Sequence, residues 1–558
     1  MITVVALALL IASLLGVSAR TRPAHASDLY SASREVSPWW NASAISGEYI
    51  SAAAFLGMAG LVLAYGADML WLPIGAAAGH VVLLTLVTAP LRRSGAYTLS
   101  DFAAWRLGSR TVRHAVSTCV VVIGWFYLLP QFQGAGVTLS VISGLPVWTG
   151  WMAVVLAVGA VVLPGGMRSI TGMQAVQFWL KLIAVVVPGL IFLAVWRLQN
   201  DADAARAPYF HRPTTVTAGT SAGMRITAPA VVTVRGVLDG RRYDGEPVRL
   251  DTGPHRVRAG ARLRFPAGAA VPRTDRLALL RGDRWATPFS GGRNHPLAAT
   301  YSVLLSVLLG TMGLPHLVVR FYSNAGGRSA RRTAKLVVLM LAAFYLFPAL
   351  FGTLGRLYTP ELLMTGETDA TLLMLPHRML PGLSGDLLTI LVATGAFAAF
   401  ASTSCGVVVA VSGSIAGNLG GGASGFRRSA LITMAVPLLL VTLTCVPQSM
   451  ALITLAFAVA ASSLCPLLVL GVWWSRLTPA GAVAGVVAGG GPATAAGLTR
   501  ILGGQRAGWL GMLIEQPALV TVPLGFAAMI GVSLLTRATV PVHTDRAMVR
   551  MHVPEDHR

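Results

Sequence analysis

Apolar runs long enough to cross a lipid bilayer recur along almost the whole chain. A transmembrane helix needs about 20 mostly apolar residues to span the hydrocarbon core. Hydrophobic residues make up 54% of the 558 residues and charged residues only 11%, which excludes a water-soluble globular protein. The sequence therefore predicts an all-α polytopic membrane protein.

The basic residues lie mainly in short connections between the apolar runs. A formal net charge of +22 would indicate nucleic acid in a soluble protein, but arginine in alternate loops of a membrane protein marks the cytoplasmic side. This pattern predicts about 13 transmembrane helices in the plasma membrane, with the N-terminus outside and the C-terminus in the cytoplasm. We expect no nucleic-acid partner. The arginines assigned to cytoplasmic connections include Arg92, Arg93, Arg320, Arg427, Arg428 and Arg537.

The first apolar segment, residues 2–19, has two interpretations. Its flanking charges, Arg20 and Arg22, follow the apolar core, whereas a signal peptide carries positive charge before it. Residues 24–26 nevertheless resemble a cleavage site. We predict a membrane helix, and cleavage remains the alternative.

Residues 198–296 differ in composition from the rest of the chain. The segment is polar, is interrupted by Gly and Pro, and contains alternating runs such as residues 230–234. This pattern predicts a small β-rich extracellular insertion. Residues 219–223 match the G-x-S-x-G of hydrolases, but a nucleophile elbow needs a strand before it and a helix after it in a large α/β domain. With no H-E-x-x-H motif in the chain either, we do not expect an enzyme.

These features divide the chain into five parts. They are an N-terminal transmembrane helix and linker (1–43), a first five-helix repeat (44–197), the extracellular insertion (198–296), a second five-helix repeat (297–476), and two C-terminal transmembrane helices with a cytoplasmic tail (477–558). The two groups of five helices have opposite orientations. The predicted core is therefore a five-plus-five inverted repeat.

The first helix of each group contains residues that interrupt a helix. The first group has Ser46-Gly47-Glu48-Tyr49, and residues 310–316 of the second group read G-T-M-G-L-P-H. Interrupted helices at corresponding positions of two halves indicate a transporter binding site, because unwound backbone offers carbonyl groups to ions. For the first segment, a helix start at the membrane surface, with the carboxylate among the lipid headgroups, is the alternative.

Ser402 and Thr403 lie in the third helix of the second group. Hard cations such as Na⁺ prefer oxygen ligands, and two adjacent hydroxyls with the carbonyl of Ala399 one turn earlier form a compact oxygen set. The alternative is that these hydroxyls bond to their own helix or hold helices together.

Aromatic and amide side chains lie beside each other in the third helix of the first group. Trp125, Tyr127 and Gln131 are candidates for a substrate pocket, and aromatic packing is the alternative interpretation. His316, in the second interrupted helix, is a further candidate. Two other ionisable residues in predicted spans are His80 and Lys181.

Five motifs are spread over the predicted core, at residues 46–57, 97–102, 165–168 with Gln174, 310–316 and 399–404. In this order they resemble the sodium:solute symporter family and, within it, the cation/acetate (monocarboxylate) branch. The resemblance implies a five-plus-five inverted repeat with flanking helices. It also implies a Na⁺ site built from backbone carbonyls of the first interrupted helix and oxygens of the eighth core helix. By motif register these oxygens belong to Gly47, Ile50, Ala399, Ser402 and Thr403.

Two features depart from the family pattern. Glu48 stands where the acetate branch usually has aspartate, and the insertion at 198–296 is larger than in typical bacterial members.

The resemblance implies a secondary active symporter in which Na⁺, the coupling ion, drives import of a short monocarboxylate such as acetate by alternating access. H⁺ is the alternative ion, and proline, a sugar or pantothenate are alternative solutes. A membrane sensor that binds a ligand through the insertion is an alternative of another class. The candidate pocket residues are Tyr49, Trp125, Tyr127, Gln131, Thr311, Gly313 and His316.

Overall fold

The fold is that of a computed structural model. It describes residues 36–199, 208–274, 277, 280, 282–289, 295–322, 324, 326–419, 423–443, 449–503 and 508–553. The predicted N-terminal helix at 2–19 lies outside the described residues.

The helices before the insertion form the first half of the bundle. They are α1 (Pro38–Tyr49), α2 (Met58–Tyr65), α3 (Trp71–Leu86), α4 (Thr88–Ser94), α5 (Leu99–Leu107), α6 (Arg110–Ser143) and α7 (Val147–Gln199). A π-helical turn (Ala53–Gly57) precedes α2, and a 3₁₀ turn (Gly66–Leu70) follows it.

The insertion contributes seven strands and a short helix. The strands are β1 (Thr214–Thr217), β2 (Ala222–Ile226), β3 (Ala230–Leu238), β4 (Arg241–Leu250), β5 (Gly253–Val257), β6 (Arg262–Phe265) and β7 (Arg273–Thr274), and the helix is α8 (Asp283–Ala286).

The second half of the bundle follows. Its helices are α9 (Pro296–Gly313), α10 (Pro315–Phe321), α11 (Gly327–Tyr358), α12 (Leu362–Thr365), α13 (Thr371–Met379), α14 (Leu383–Leu419), α15 (Ala423–Val441), α16 (Ser449–Ser462), α17 (Leu464–Trp473), α18 (Pro479–Ile501), α19 (Gly508–Glu515), α20 (Ala518–Leu535) and α21 (Thr544–His552). Two 3₁₀ turns lie at Thr368–Ala370 and Arg537–Thr539.

Eleven helical segments in the described part of the chain are long and apolar enough to cross a membrane. One of them, Ala53–Leu86, turns sharply at Gly66, which has a φ of 66° and a ψ of −137°. A Cβ at this position would lie 1.8 Å from the carbonyl oxygen of Trp285, so only glycine fits. The turn separates α2 from α3. The count of about 13 helices stays a prediction, because its first member lies outside the described residues.

The second interrupted helix breaks where its sequence predicts. α9 ends at Gly313, Leu314 is extended with φ −69° and ψ 116°, and Pro315 begins α10. Proline suits the first position of a helix, because its missing N–H would have no helical partner there. Gly313 lies against α16, where a Cβ would come within 2.5 Å of the carbonyl oxygen of Ala460.

Burial identifies the centre of the bundle. The buried share of the most apolar stretch is 72% in α6, 78% in Leu383–Gly417 and 94% in Leu452–Trp473, against 33% in α20. Of these central helices, α14 packs against α1, α6 and α7. This helix, the third of the predicted second repeat, therefore lies against the helices of the predicted first repeat. It is next to the break in the first interrupted helix, at Ile50 and Ser51 between α1 and the π-helical turn, which we call the first break.

The strands of the insertion form one antiparallel sheet in the order β1-β6-β3-β5-β2-β7, with β4 paired to β3. Its apolar face shares a hydrophobic cluster with Leu63 of α2 and with Leu362 and Leu363 of α12. The G-x-S-x-G match, residues 219–223, begins in the connection between β1 and β2 and runs into β2. It is therefore not followed by the helix that a nucleophile elbow requires.

Candidate ion and substrate site

The first break leaves two backbone carbonyls without their helical donors. The N–H of Ser51 donates to the carbonyl of Tyr49 at 2.8 Å, so it no longer reaches the carbonyl of Gly47. The N–H of Ala52 donates instead to Gln131 Oε1 at 3.0 Å, so the carbonyl of Glu48 is also released. Buried carbonyls need replacement partners.

Hydroxyl groups of α14 supply those partners. Ser402 Oγ donates to the carbonyl of Gly47 at 2.9 Å, and Thr403 Oγ1 donates to the carbonyl of Glu48 at 2.6 Å. Ser402 Oγ also lies 3.3 Å from the carbonyl oxygen of Ala399. Three of the five residues predicted to bind Na⁺, Gly47, Ala399 and Ser402, are therefore joined by these bonds, and Thr403 is bonded to the adjacent carbonyl of Glu48.

A lysine side chain lies among the same oxygens. Lys181, on α7, is fully buried, and its Nζ donates to the carbonyl of Ile50 at 2.9 Å. The same Nζ donates to the carbonyl of Gly47 and to Ser402 Oγ. The sequence places this lysine in a predicted span but does not assign it to the site. An ionisable residue within a span is itself the signal that a functional role should be considered.

The carboxylate of Glu48 is paired with an arginine and not with the proposed cation ligands. Its Oε2 accepts from Arg320 Nε at 2.7 Å, and both side chains are fully buried. Arg320 also donates to Thr171 Oγ1 at 2.6 Å and to Gln174 Oε1. The alternative that Glu48 lies among lipid headgroups is therefore wrong.

The position of Arg320 also differs from the one that the sequence predicts. The charge pattern of the sequence predicts a cytoplasmic connection for Arg320, but its side chain is completely buried in the structure. It lies on α10, directly after the second break, and this short helix directs it to the carboxylate on the first broken helix. The Arg320–Glu48 ion pair therefore connects the two broken helices.

Four of the predicted pocket residues lie close to one another. Tyr49 OH lies 3.3 Å from Thr311 Oγ1, in hydrogen-bond contact between the two broken helices. Tyr127 meets the ring of His316 edge-on, with centroids 4.7 Å apart. Phe457 of α16 packs against both tyrosines, at centroid distances of 6.3 Å and 6.1 Å.

A small cavity of about 30 Å³ lies beside the first break. Its lining is mostly apolar, with hydroxyl groups from Tyr49, Ser51, Tyr127, Tyr345 and Thr454. Such a mixture of apolar walls and a few hydroxyls suits a small organic molecule with one polar end.

Three predicted pocket residues have other positions. Gln131 binds the backbone, because its Oε1 accepts from Ala52 N–H and its Nε2 donates to the carbonyl of Tyr127 at 3.3 Å. Gly313 is in close contact with α16. Of the seven predicted pocket residues, Tyr49 and Tyr127 line the cavity in the described structure, whereas Trp125, Thr311 and His316 do not.

The fold and the site together define a class of protein. It is the class of membrane transporters built on two inverted five-helix repeats, with an interrupted first helix in each repeat. A family model described as the sodium:solute symporter family matches residues 29–207 and 287–489, which is more than half of the chain. The chain belongs to the sodium:solute symporter family, whose members are transporters and not enzymes.

Similar proteins include two bacterial relatives. A monocarboxylic acid transporter of Corynebacterium glutamicum is 26% identical over 535 residues, covering 90% of this chain and 85% of the relative. An uncharacterised symporter of Bacillus subtilis, YwcA, is 26% identical over 479 residues, covering 83% of this chain and 79% of the relative.

Two solved structures share the fold. A Na⁺-coupled sialic acid symporter in a substrate-bound, outward-open state has a TM-score of 0.64 at 12% identity, covering 96% of this chain and 97% of its own. Mhp1, a nucleobase-cation-symport-1 family transporter in a closed conformation with bromovinylhydantoin bound, has a TM-score of 0.51 at 12% identity, covering 95% and 98%. At this identity the likeness concerns the fold alone.

Proposed function

We propose that this protein is a secondary active symporter that imports a short-chain monocarboxylate such as acetate by alternating access, driven by a cation gradient. The observation that carries the proposal is the meeting of the carbonyls released at the first break with the hydroxyls of α14. A broken helix that exposes oxygens beside a small cavity is the arrangement by which transporters hold an ion next to a solute.

The proposed cation site comprises Gly47, Ile50, Ala399, Ser402 and Thr403. A positive charge on these oxygens holds the break of the first helix against α14. Solute and cation then favour the same conformation, and their coupling is a shared conformational equilibrium. Membership of the family supports Na⁺ as the gradient ion.

A monocarboxylate substrate is supported by the name of the Corynebacterium glutamicum relative, at 26% identity. In this chain the carboxylate would accept hydrogen bonds from hydroxyls such as those of Tyr49 and Tyr127, which line the cavity, while the short alkyl group contacts the apolar wall. The small cavity favours a short chain over a sugar, because a sugar needs many more polar partners.

The transporter is proposed to lie in the plasma membrane, with its N-terminus and the sheet outside and its C-terminus in the cytoplasm. The arginine-rich connections support this orientation. Protease added to intact cells should cleave within the sheet and spare a tag on the C-terminus, and the opposite pattern would reverse the assignment.

The test is uptake by the purified protein in proteoliposomes. Labelled acetate, propionate and pyruvate are offered with an inward Na⁺ gradient, with an inward proton gradient, and with neither. We expect at least one monocarboxylate to accumulate when a gradient is imposed. Accumulation of proline, glucose or pantothenate, without any monocarboxylate, would refute the substrate assignment.

A further inference from the structure

The ammonium group of Lys181 has three N–H donors, and three oxygens of the proposed cation site surround it. These are the carbonyl of Ile50, at 2.9 Å, the carbonyl of Gly47 and the hydroxyl of Ser402. The side chain is fully buried. Its contacts thus match the donor capacity of the group.

The remaining oxygens of the predicted Na⁺ site have protein partners. Thr403 Oγ1 donates to the carbonyl of Glu48 at 2.6 Å. The carbonyl of Ala399 lies 3.3 Å from Ser402 Oγ. A Na⁺ ion would have to share with an ammonium the same carbonyls that it needs as ligands.

The charge balance also disfavours an added cation. Glu48 is the carboxylate that interacts electrostatically with Lys181, and it is already paired with Arg320 at 2.7 Å. When all three are ionised, these side chains comprise two cations and one anion. A metal ion would bring a third positive charge into a buried cluster, where repulsion between like charges is weakly screened. The residues present therefore do not fit Na⁺ at this place.

We infer that Lys181 is a tethered cation that takes the place of free Na⁺ at the first break, so that this chain does not bind Na⁺ there. Its ammonium holds the first broken helix against α14, as a bound ion would, because it donates to the released carbonyls at the first break and to a hydroxyl of α14. The inference rests on the proposed transport of a solute by alternating access, and it replaces the free cation of the proposed site with the ammonium of Lys181. Any coupling to Na⁺ in this protein then uses a different set of oxygens.

The test measures Na⁺-specific thermal stabilisation of the full-length protein in detergent, comparing NaCl with choline chloride at equal ionic strength. Lys181→Ala removes the ammonium and leaves room beside the oxygens. We expect this variant to gain a Na⁺-specific rise in Tm of about 2 °C. The double variant Lys181→Ala/Ser402→Ala should lose that gain. Lys181→Met fills the space without charge and should gain nothing, and Lys335→Ala, at an exposed lysine, is the matched control.

Two results would overturn the inference. One is a Na⁺-specific rise in Tm of the unmodified protein that Ser402→Ala abolishes, since Na⁺ would then bind together with Lys181. This comparison of the unmodified protein with Ser402→Ala tests the inference even if Lys181→Ala does not fold. The other is a folded Lys181→Ala variant with no response to Na⁺. If the unmodified protein shows a Na⁺-specific rise in Tm and Ser402→Ala does not change it, the inference is supported, because Na⁺ then binds elsewhere.

Solute uptake by the same preparations separates the two proposals. Absence of uptake under every gradient would refute the proposed function. The Na⁺-dependent Tm would still report whether Lys181 or Na⁺ holds the oxygens at the first break.

Discussion

Thr403 and Ser402 are neighbours on α14, but they hold the first broken helix through different carbonyls. Thr403 Oγ1 donates to the backbone carbonyl of Glu48. The helical donor of that carbonyl, the N–H of Ala52, is bonded to Gln131 Oε1 instead. Without this hydroxyl the carbonyl of Glu48 loses its side-chain donor in a buried site, which costs about 1–3 kcal/mol. The bond is therefore expected to favour the conformation in which the break lies against α14.

Thr403→Ala is expected to slow the initial rate of solute uptake about tenfold, which corresponds to about 1.4 kcal/mol and lies within the cost of an unsatisfied buried carbonyl. The rate is measured in proteoliposomes at equal protein density. Thr389→Ala is the control, because Thr389 is buried on the same helix and donates to Gly385 of its own helix at 2.9 Å. Equal rates for the two variants would show that the bond to Glu48 has no part in transport.

The sequence predicts the oxygens of this site better than the groups that occupy it. Gly47 and the Ser402-Thr403 pair are local signals, since glycine loosens a helix and adjacent hydroxyls stand out in an apolar segment. The role of Lys181 depends on contacts with residues 131 to 221 positions away in the chain. A local sequence pattern does not indicate which faces of two helices pack against each other. The sequence therefore places Lys181 in a membrane span but does not assign it to the site.

The broken helix α1 depends on close packing against α7 for its position. Gly47 lies where a Cβ would come within 2.4 Å of the carbonyl oxygen of Gln174 and 3.3 Å of Phe178 Cβ. The obstacle is backbone of a neighbouring helix, which cannot move without displacing Gln174 and its bond to Ser402. At the scale of elements, one small residue thus sets the distance between α1 and the helix that carries Lys181.

Gly47→Ala should therefore destabilise the protein by about 1–3 kcal/mol through overpacking, seen as a lower Tm in detergent, and should also reduce uptake. Gly172→Ala is the matched control, because Gly172 lies on α7 and a Cβ added there would meet nothing within 4 Å. Alanine favours a helix over glycine, so the control should keep or raise the Tm. A Gly47→Ala protein as stable as the control would contradict the close approach of α1 and α7.

At the scale of the whole molecule, the sheet and the helical bundle share apolar surface. Leu63, Leu362 and Leu363 belong to the same hydrophobic cluster as the inner face of the sheet. Trp285, on the short helix α8 that follows the sheet, adds a polar link between the insertion and the bundle, since its indole N–H donates to the carbonyl of Val62 at 2.9 Å. The alternation along residues 230–234 predicts strands, but it could not predict this docking, because the surface that receives the sheet is formed by residues from both halves of the bundle.

Replacing residues 208–274 with a short Gly-Ser linker should therefore destabilise the bundle itself. Removing the sheet exposes three leucines to water, at about 1.5–3 kcal/mol for each side chain fully exposed. Unfolding of the helices can be followed with a thiol-reactive dye, because Cys119, Cys405 and Cys465 are buried free thiols in helices of the bundle. We expect the dye to react at a lower temperature in the linker variant, whereas Val231→Ala, at an exposed position of β3, should leave the midpoint unchanged. If the linker variant exposes its cysteines at the same temperature as the intact protein, the sheet is an independent module and contributes nothing to the stability of the transporter core.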